Sequence, residues 1–264
     1  MCKLRTTFIF LLLGVVFTQS VWATDNDYKF YARAGGSFLT LTGDASKKSS
    51  GGAFTPEIDL DDDLGLDDLE AGYFGEIGFR KGRHDFWFQG QSWDVDNTAT
   101  VSRIITIGDK TFPVSAVIDS EMSFDYVYGR YGYAFKTVEE DGYRLSLNIT
   151  VGYTAFDLDL KNAATGASGG VDEETPFPGI GMHIEKPLSF LSDTIFQGSL
   201  SGMYIDVGSV EGWVVDAYAG AVWRPHKNWG AFLGLNYDQV ELEISRYDGG
   251  ITLLGISSGI EFRF

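Results

Sequence analysis

The last fourteen residues, ITLLGISSGIEFRF (251–264), alternate in character with a period of two. Leu254, Ile256, Ile260, Phe262 and Phe264 fall on one face. Leu253, Gly255, Ser257, Gly259, Glu261 and Arg263 fall on the other. Successive side chains of an extended chain point to opposite sides, so this is a strand with one apolar face and one polar or small face. The pattern recurs upstream. Leu145, Leu147, Ile149, Val151 and Tyr153 oppose Arg144, Ser146, Asn148, Thr150 and Gly152. Trp213, Val215, Ala217, Ala219, Ala221 and Trp223 oppose Asp216, Tyr218, Gly220 and Arg224, and Phe30, Ala32, Ala34 and Phe38 oppose Lys29, Arg33, Gly35 and Ser37. Helical periodicity is hard to find outside residues 59–70, so the expected class is all-β.

A soluble sandwich also alternates; charge and spacing separate the two. Arg33, Glu76, Arg144, Asp216, Arg224, Glu261 and Arg263, with Lys29, Arg130, Glu185 and Asp238, oppose the apolar faces. A soluble core would reject them. A barrel lumen accepts them, and there the two signs pair, because an unpaired charge away from water is costly. The alternation around 121–131 fits either phase, which leaves the side of Arg130 open. Trp213 and Trp223 share a face ten residues apart, and Phe30 and Phe38 eight apart. A strand tilted at ~45° crosses a bilayer in ~9–11 residues, with aromatic girdles at both interfaces.

Ten strands are expected, near 28–42, 69–80, 85–106, 112–136, 143–160, 174–186, 194–207, 212–225, 229–246 and 250–264; eight or twelve are the alternative counts. Connections after even-numbered strands are short. Long external loops are expected at 43–68, 97–118 and 161–173, the second as a hairpin around Gly108-Asp109-Lys110 that projects above the membrane. The expected fold is a closed antiparallel transmembrane β-barrel with an even strand count and no lipid-exposed edge.

The N-terminus reads as a secretory signal peptide over 1–23: Lys3 and Arg5, the apolar run FIFLLLGVVF, then Val21-Trp22-Ala23 at the cleavage site. Cleavage removes two positive charges and takes the formal net charge from −17 to −19. It also removes Cys2, the single cysteine, so disulfides do not hold the exported chain. The acidic balance argues against nucleic acid as a partner.

With its signal peptide, alternating strands and terminal Phe264, the chain resembles a Gram-negative outer-membrane β-barrel protein. The stretch EIDLDDDLGLDD (57–68) is similar to the acidic first loop of small proteobacterial barrels. The resemblance implies an outer-membrane location with both termini periplasmic, and Phe264 as the signal read by the barrel-assembly machinery. It also implies contact with outer-membrane lipid and lipopolysaccharide; a monomer is preferred.

Three functional readings follow. The first is an envelope protein without catalytic activity, with acidic external loops and a narrow or gated pore. The second is a lipid- or peptide-hydrolysing enzyme. Lipid A deacylases use a His/Ser pair with a carboxylate, and omptin proteases an Asp–His pair at the outer rim. His84 and His226 fall in short turns, which leaves His183 as the candidate base, two residues from Glu185 on the same face. Neither family's constellation carries over residue by residue.

The third reading is a cation site in DLDDDLGLDDLE (59–70). Asp59, Asp61, Asp63, Asp67 and Glu70 occupy positions 1, 3, 5, 9 and 12 of a calcium-loop template. Position 6, where the sharp turn needs Gly, is Leu64, with Gly65 one place late, and no helix flanks the loop. A looser Ca²⁺ or Mg²⁺ site, or a lipopolysaccharide contact, is the form this reading takes; otherwise no cofactor is expected. Leu60, Leu64, Leu66 and Leu69 are spaced to fold one short helical turn over the barrel mouth as a lid.

Overall fold

A computed structural model of the chain describes residues 28–49, 55–66, 70–207, 210–244 and 247–264. The expected signal peptide at 1–23 lies outside them. Ten long antiparallel strands form the wall: β1 (Tyr28–Lys47), β3 (Glu70–Lys81), β4 (His84–Thr100), β7 (Val117–Lys136), β8 (Arg144–Asn162), β9 (Ser168–Pro187), β10 (Thr194–Val207), β11 (Val210–His226), β12 (Trp229–Ile244) and β13 (Tyr247–Arg263). Three short strands, β2 (Ile58–Asp59), β5 (Ile105–Ile107) and β6 (Lys110–Phe112), belong to the loops. Each wall strand pairs with its sequence neighbour, and β1 pairs with β13 from Tyr31↔Arg263 to Lys47↔Tyr247, which closes the barrel. Closure leaves no free sheet edge in the turn-end half, the condition for a sheet in hydrocarbon.

Both described chain ends, Tyr28 and Phe264, lie at the end with the short connections, hereafter the turn end. The Phe264 amide donates to Phe30 O there. Helix α1 (Val138–Asp141) makes one of these connections, with Gly142 in the left-handed conformation closing it. The other end is the loop end.

The wall is taller than a membrane needs. β1, β7 and β9 have 20 residues each, against ~9–11 for one crossing. The two halves use their faces oppositely. In the turn-end half the outward face is an apolar belt: Ile149, Val151, Ile180, Leu200, Leu233 and Leu254 are more than half exposed. Inward there stand Arg33, Glu76, Arg80, Arg144, Glu185 and Glu261. In the loop-end half the order reverses. Outward, Asp96, Glu121 and Asp159 stand in one row across β4, β7 and β8, and Asp157 faces Asp172 across β8 and β9. Inward, Leu39, Leu41, Met122, Phe124, Tyr126, Phe156, Leu158, Leu160, Val171, Ile251 and Leu253 form a packed apolar core. Burial settles the phase of 121–131: Met122, Phe124, Tyr126, Tyr128 and Arg130 all point in.

Two expected loops are corrected. Residues 161–173 are mostly strand, because β8 runs to Asn162 and β9 starts at Ser168. The segment reads as a loop because it is rich in Gly and Ala, which carry little of the alternating pattern, while Val171 is buried inside and Asp172 faces out. The hairpin at 105–112 does not continue the wall outwards. β4 stops at Thr100, and Pro113, which cannot donate to a ladder, precedes β7. Ile105, Ile107 and Phe112 are instead at most 2% exposed and fold into the mouth.

Candidate functional site

The lumenal charges form two clusters joined by one amide. At the turn end, Arg144 Nη2 lies 2.7 Å from Asp85 Oδ2, and Arg80 binds the same Asp85. Arg80 also makes a two-pronged contact with Glu185, each N···O 2.9 Å. In the second cluster the Glu261 carboxylate of β13 takes three guanidinium groups: Arg33 at 2.7 Å, Arg224 at 2.8 Å and Arg263 at 2.7 Å. Gln197 bridges the clusters, donating to Glu185 Oε1 (3.1 Å) and accepting from Arg33 Nη2 (2.8 Å). Two-pronged guanidinium–carboxylate contacts are among the strongest hydrogen bonds available, and geometry of this quality offsets the desolvation of buried ions.

Of the charges expected inside, Arg33, Glu76, Arg144, Arg224, Glu261 and Arg263 all join this network; Glu76 lies 3.6 Å from Arg33. Asp216 stands higher, with Ser201 at 3.0 Å and Arg130 at 3.4 Å, directly across the register from Asp238. Sequence reasoning missed Arg80, Asp85 and Gln197. The signal was present: Arg80 has the parity of Glu76, and Asp85 is the second residue of the next strand beyond a tight turn.

His183 points into the lumen from the turn-end half of β9, its Nε2 3.3 Å from Glu185 Oε1. That oxygen also accepts from Gln197, and its partner oxygen accepts from Arg80. Trp87 packs on the imidazole at 5.7 Å between ring centres. Above lies a cavity of about 90 Å³, bordered by polar Glu76, Arg130, Asp216 and Asp238 and by the rings of Trp93 and Phe232. A space of that size holds several waters.

The acidic loop is folded into the mouth. Asp59 caps a single helical turn: its carboxylate accepts from the Asp61 and Asp62 amides at 3.3 and 3.2 Å. The Asp63 carboxylate reaches back to the Asp59 amide at 2.9 Å and forms an ion pair with Arg103. The turn closes with Asp63 N–H on Asp59 O and Gly65 N–H on Asp61 O. Gly65 then takes a left-handed φ of 64°, which is why the glycine sits where it does: it ends a turn. Asn97 donates to both Leu64 O and Gly65 O at 2.9 Å, tying the loop to β4.

Leu60, Leu64 and Leu66 are fully buried beside Ile58, Ile105, Ile107 and Phe112. The leucine spacing therefore makes a plug within the mouth. Asp67 and Leu69, and the side chain of Glu70, lie outside the described residues. Of the five template positions, Asp59 and Asp63 are engaged in capping and in the Arg103 pair. A side-chain hydrogen bond between Asp59 and Asp61 holds the Asp59 carboxyl below its ordinary range and raises Asp61. Among the described residues, no three His, Cys, Asp or Glu side chains are grouped to hold a metal ion.

No protein-family model and no curated protein sequence matches the chain. Solved structures do. The outer membrane protease OmpT from Escherichia coli superposes with a TM-score of 0.58 at 9% identity, covering 89% of this chain and 97% of that one. Looser likenesses include the transport unit of the autotransporter AIDA-I from Escherichia coli (TM-score 0.43, 10% identity, 97% of each chain). Another is Ail, the attachment invasion locus protein of Yersinia pestis (0.39, 12%, 87% of this chain and 99% of that one). At 9% identity the first likeness speaks to fold and nothing finer, and with β1 closed on β13 the chain is a ten-stranded β-barrel of the Gram-negative outer-membrane type.

Proposed function

We propose that the protein is a plugged outer-membrane barrel that acts at its loop end, as a non-catalytic component of the cell surface rather than as an open channel. The loop end faces outwards in this reading, and both termini face the periplasm. One observation carries it. The mouth is filled by Leu60, Leu64, Leu66, Ile105, Ile107 and Phe112, each at most 2% exposed, where a diffusion pore would need water. Below the plug the lumen is crossed by charge pairs that hold one another.

The hydrolase reading has less support. His183 lies in the turn-end half, and its carboxylate partner is committed to Arg80 and Gln197. OmpT is a protease, but the likeness is one of fold. The acidic outer wall above the apolar belt stands where lipopolysaccharide and its bridging divalent cations would meet the protein.

The test is planar-bilayer conductance of the refolded full chain, with and without Ca²⁺. A flat trace in both is expected. Discrete, reproducible conductance steps from the unaltered protein would overturn the plugged reading.

A further inference from the structure

The basic side chains at the turn end are used in different ways. At the β7–β8 connection Lys136 pairs with Asp141 at 2.8 Å. At β11–β12, Arg224 turns inwards to Glu261, and His226 Nδ1 accepts from the Asn228 amide at 3.2 Å. At β3–β4, Arg83 donates to Ala134 O and Phe135 O and pairs with Glu140. Lys81 and His84 flank that same tight turn and are direct partners across the two strands.

Both are exposed and belong to the outward face. Two residues up each strand stand Phe79 and Phe86, with ring centres 6.0 Å apart. Phe30 of β1 lies 5.0 Å from Phe79, and Tyr131 of β7 lies 5.0 Å from Phe86. The four rings pair in one row, Phe30↔Phe79↔Phe86↔Tyr131. The basic pair therefore sits immediately beneath an aromatic row at the lower border of the apolar belt, the place of such rings at a membrane interface. A glycerophospholipid presents its parts in the same order, acyl chains first and phosphate beyond them.

The His84 imidazole is held in one orientation. Its Nδ1 lies 2.8 Å from Tyr131 Oη, its ring stacks with Tyr131 at 6.0 Å, and it meets Tyr133 edge-on at 5.4 Å. With the Tyr131 hydroxyl donating to Nδ1, the neutral ring carries its proton on Nε2. Nε2 is on the far side of the ring from Tyr131, and among the described residues it has no hydrogen-bond partner. The protein orients a donor that it does not itself use. The turn beside it is uncrowded: a Cβ added at Gly82 would meet no atom within 4 Å.

We infer that Lys81 and His84 form a headgroup site for an anionic glycerophospholipid. Lys81 Nζ and His84 Nε2–H donate to the phosphodiester oxygens, and the acyl chains run over Phe79 and Phe86 into the belt. A phosphodiester offers acceptors and one negative charge, which an ammonium and an N–H donor match. Phosphatidylcholine fits less well, because its quaternary ammonium brings a second positive charge beside Lys81. The inference rests on the membrane-spanning reading above, with the turn end in the periplasmic leaflet.

The test uses the full chain refolded into vesicles of phosphatidylglycerol and phosphatidylcholine in equal amounts. The protein is then released in mild detergent and weighed by native mass spectrometry. Folded insertion is scored separately, by the shift between unboiled and boiled gel mobility. A retained phosphatidylglycerol is expected in preference to phosphatidylcholine. Lys81→Gln is expected to lower that retention about fivefold, the usual effect of one cation at an anionic membrane surface. His84→Phe keeps the ring packing, removes the donor and is expected to lower it as well. Lys186→Gln removes an outward cation opposite Phe196 on another hairpin and is expected to leave it unchanged. Equal retention of the two lipids by the inserted, unaltered protein overturns the site and leaves the barrel reading intact. Loss of the gel shift in the unaltered protein overturns the barrel reading and the inference with it. Unchanged retention in Lys81→Gln or His84→Phe overturns the assignment of that donor. An equal loss in Lys186→Gln makes the attraction a diffuse one and overturns the site. Displacement of the lipid by excess inorganic phosphate overturns the lipid as the occupant.

Discussion

Replacing Glu261 by Gln removes one charge and almost no volume, and it does so where three guanidinium groups converge. The Glu261 side chain is 1% exposed, and Arg33, Arg224 and Arg263 approach within 2.7–2.8 Å. An amide can still accept, but it cannot offset the charge of three cations, two of which are themselves 14% and 10% exposed. Breaking a buried pair from one side costs about 3–5 kcal/mol, because the partner is left charged and desolvated. Arg263, at 32% exposure, can turn to water and places the cost in the lower half of that range. At about 1.4 kcal/mol per factor of ten, the folding equilibrium moves by roughly two to three orders of magnitude.

The measurement is urea unfolding of the refolded protein in detergent micelles, monitored by tryptophan emission and by the shift between unboiled and boiled gel mobility. A lower midpoint at unchanged slope is expected. Glu140→Gln is the control. Glu140 pairs with Arg83 at 2.7 Å, but the two are 60% and 37% exposed, and such pairs contribute about 0–1 kcal/mol. If Glu261→Gln shifts the midpoint no more than Glu140→Gln, the lumenal network is not what holds the turn-end half together.

Other outcomes follow from the plug and the turns. Leu64→Ala leaves a cavity beneath a fully buried position and is expected to cost about 2–5 kcal/mol in the same unfolding assay, with faster protease cleavage near residue 64. Gly65→Ala forces a Cβ into a left-handed φ, 2.5 Å from Asn97 Nδ2; a loss of about 1–2 kcal/mol is expected, and an unchanged midpoint would remove the turn-ending role. The Lys136 ammonium beside Asp141 holds its carboxyl below the ordinary range. A depressed carboxyl adds stability above its unfolded pKa of about 3.9 and loses it as pH falls through the lower folded value. Amide exchange in α1 is therefore expected to stay slow near neutrality and to show an added loss of protection below about pH 4; Asp141→Asn should abolish that acid step.

Much of this architecture is legible along the chain, and the failures have physical causes. Where the outside is lipid, alternation is stark: Leu147, Ile149 and Val151 against Ser146, Asn148 and Thr150 leave no doubt about the phase. Above the belt the outside is water and the inside apolar, so the same two-residue period carries the opposite sign. In SFDYVYG (123–129) Phe124 and Tyr126 are core, Asp125 faces water and Val127 faces lipid, and the local pattern fits both phases. Residues 161–173, rich in Gly and Ala, read as loop because few of their side chains show any period. The leucines of 60–66 suggest a helical turn at a mouth, but no pattern in one sequence specifies Asn97 and Arg103 as its anchors.

The sign change between the two halves has a mechanical consequence. On β7 the outward face passes from Asp125 to Val127 in a single step, and on β8 from Asp157 through Ala155 to Tyr153. If the whole molecule sank by two residues, about 6.6 Å along each strand, Asp125 and Glu174 would enter hydrocarbon. If it rose by as much, outward Val127 and Tyr153, at the upper edge of the belt, would be drawn into water at the loop end. Either displacement is opposed from β7, β8 and β9 at once. The barrel therefore fixes its own immersion depth, and a loop-end surface built on it is presented at a constant height above the lipid.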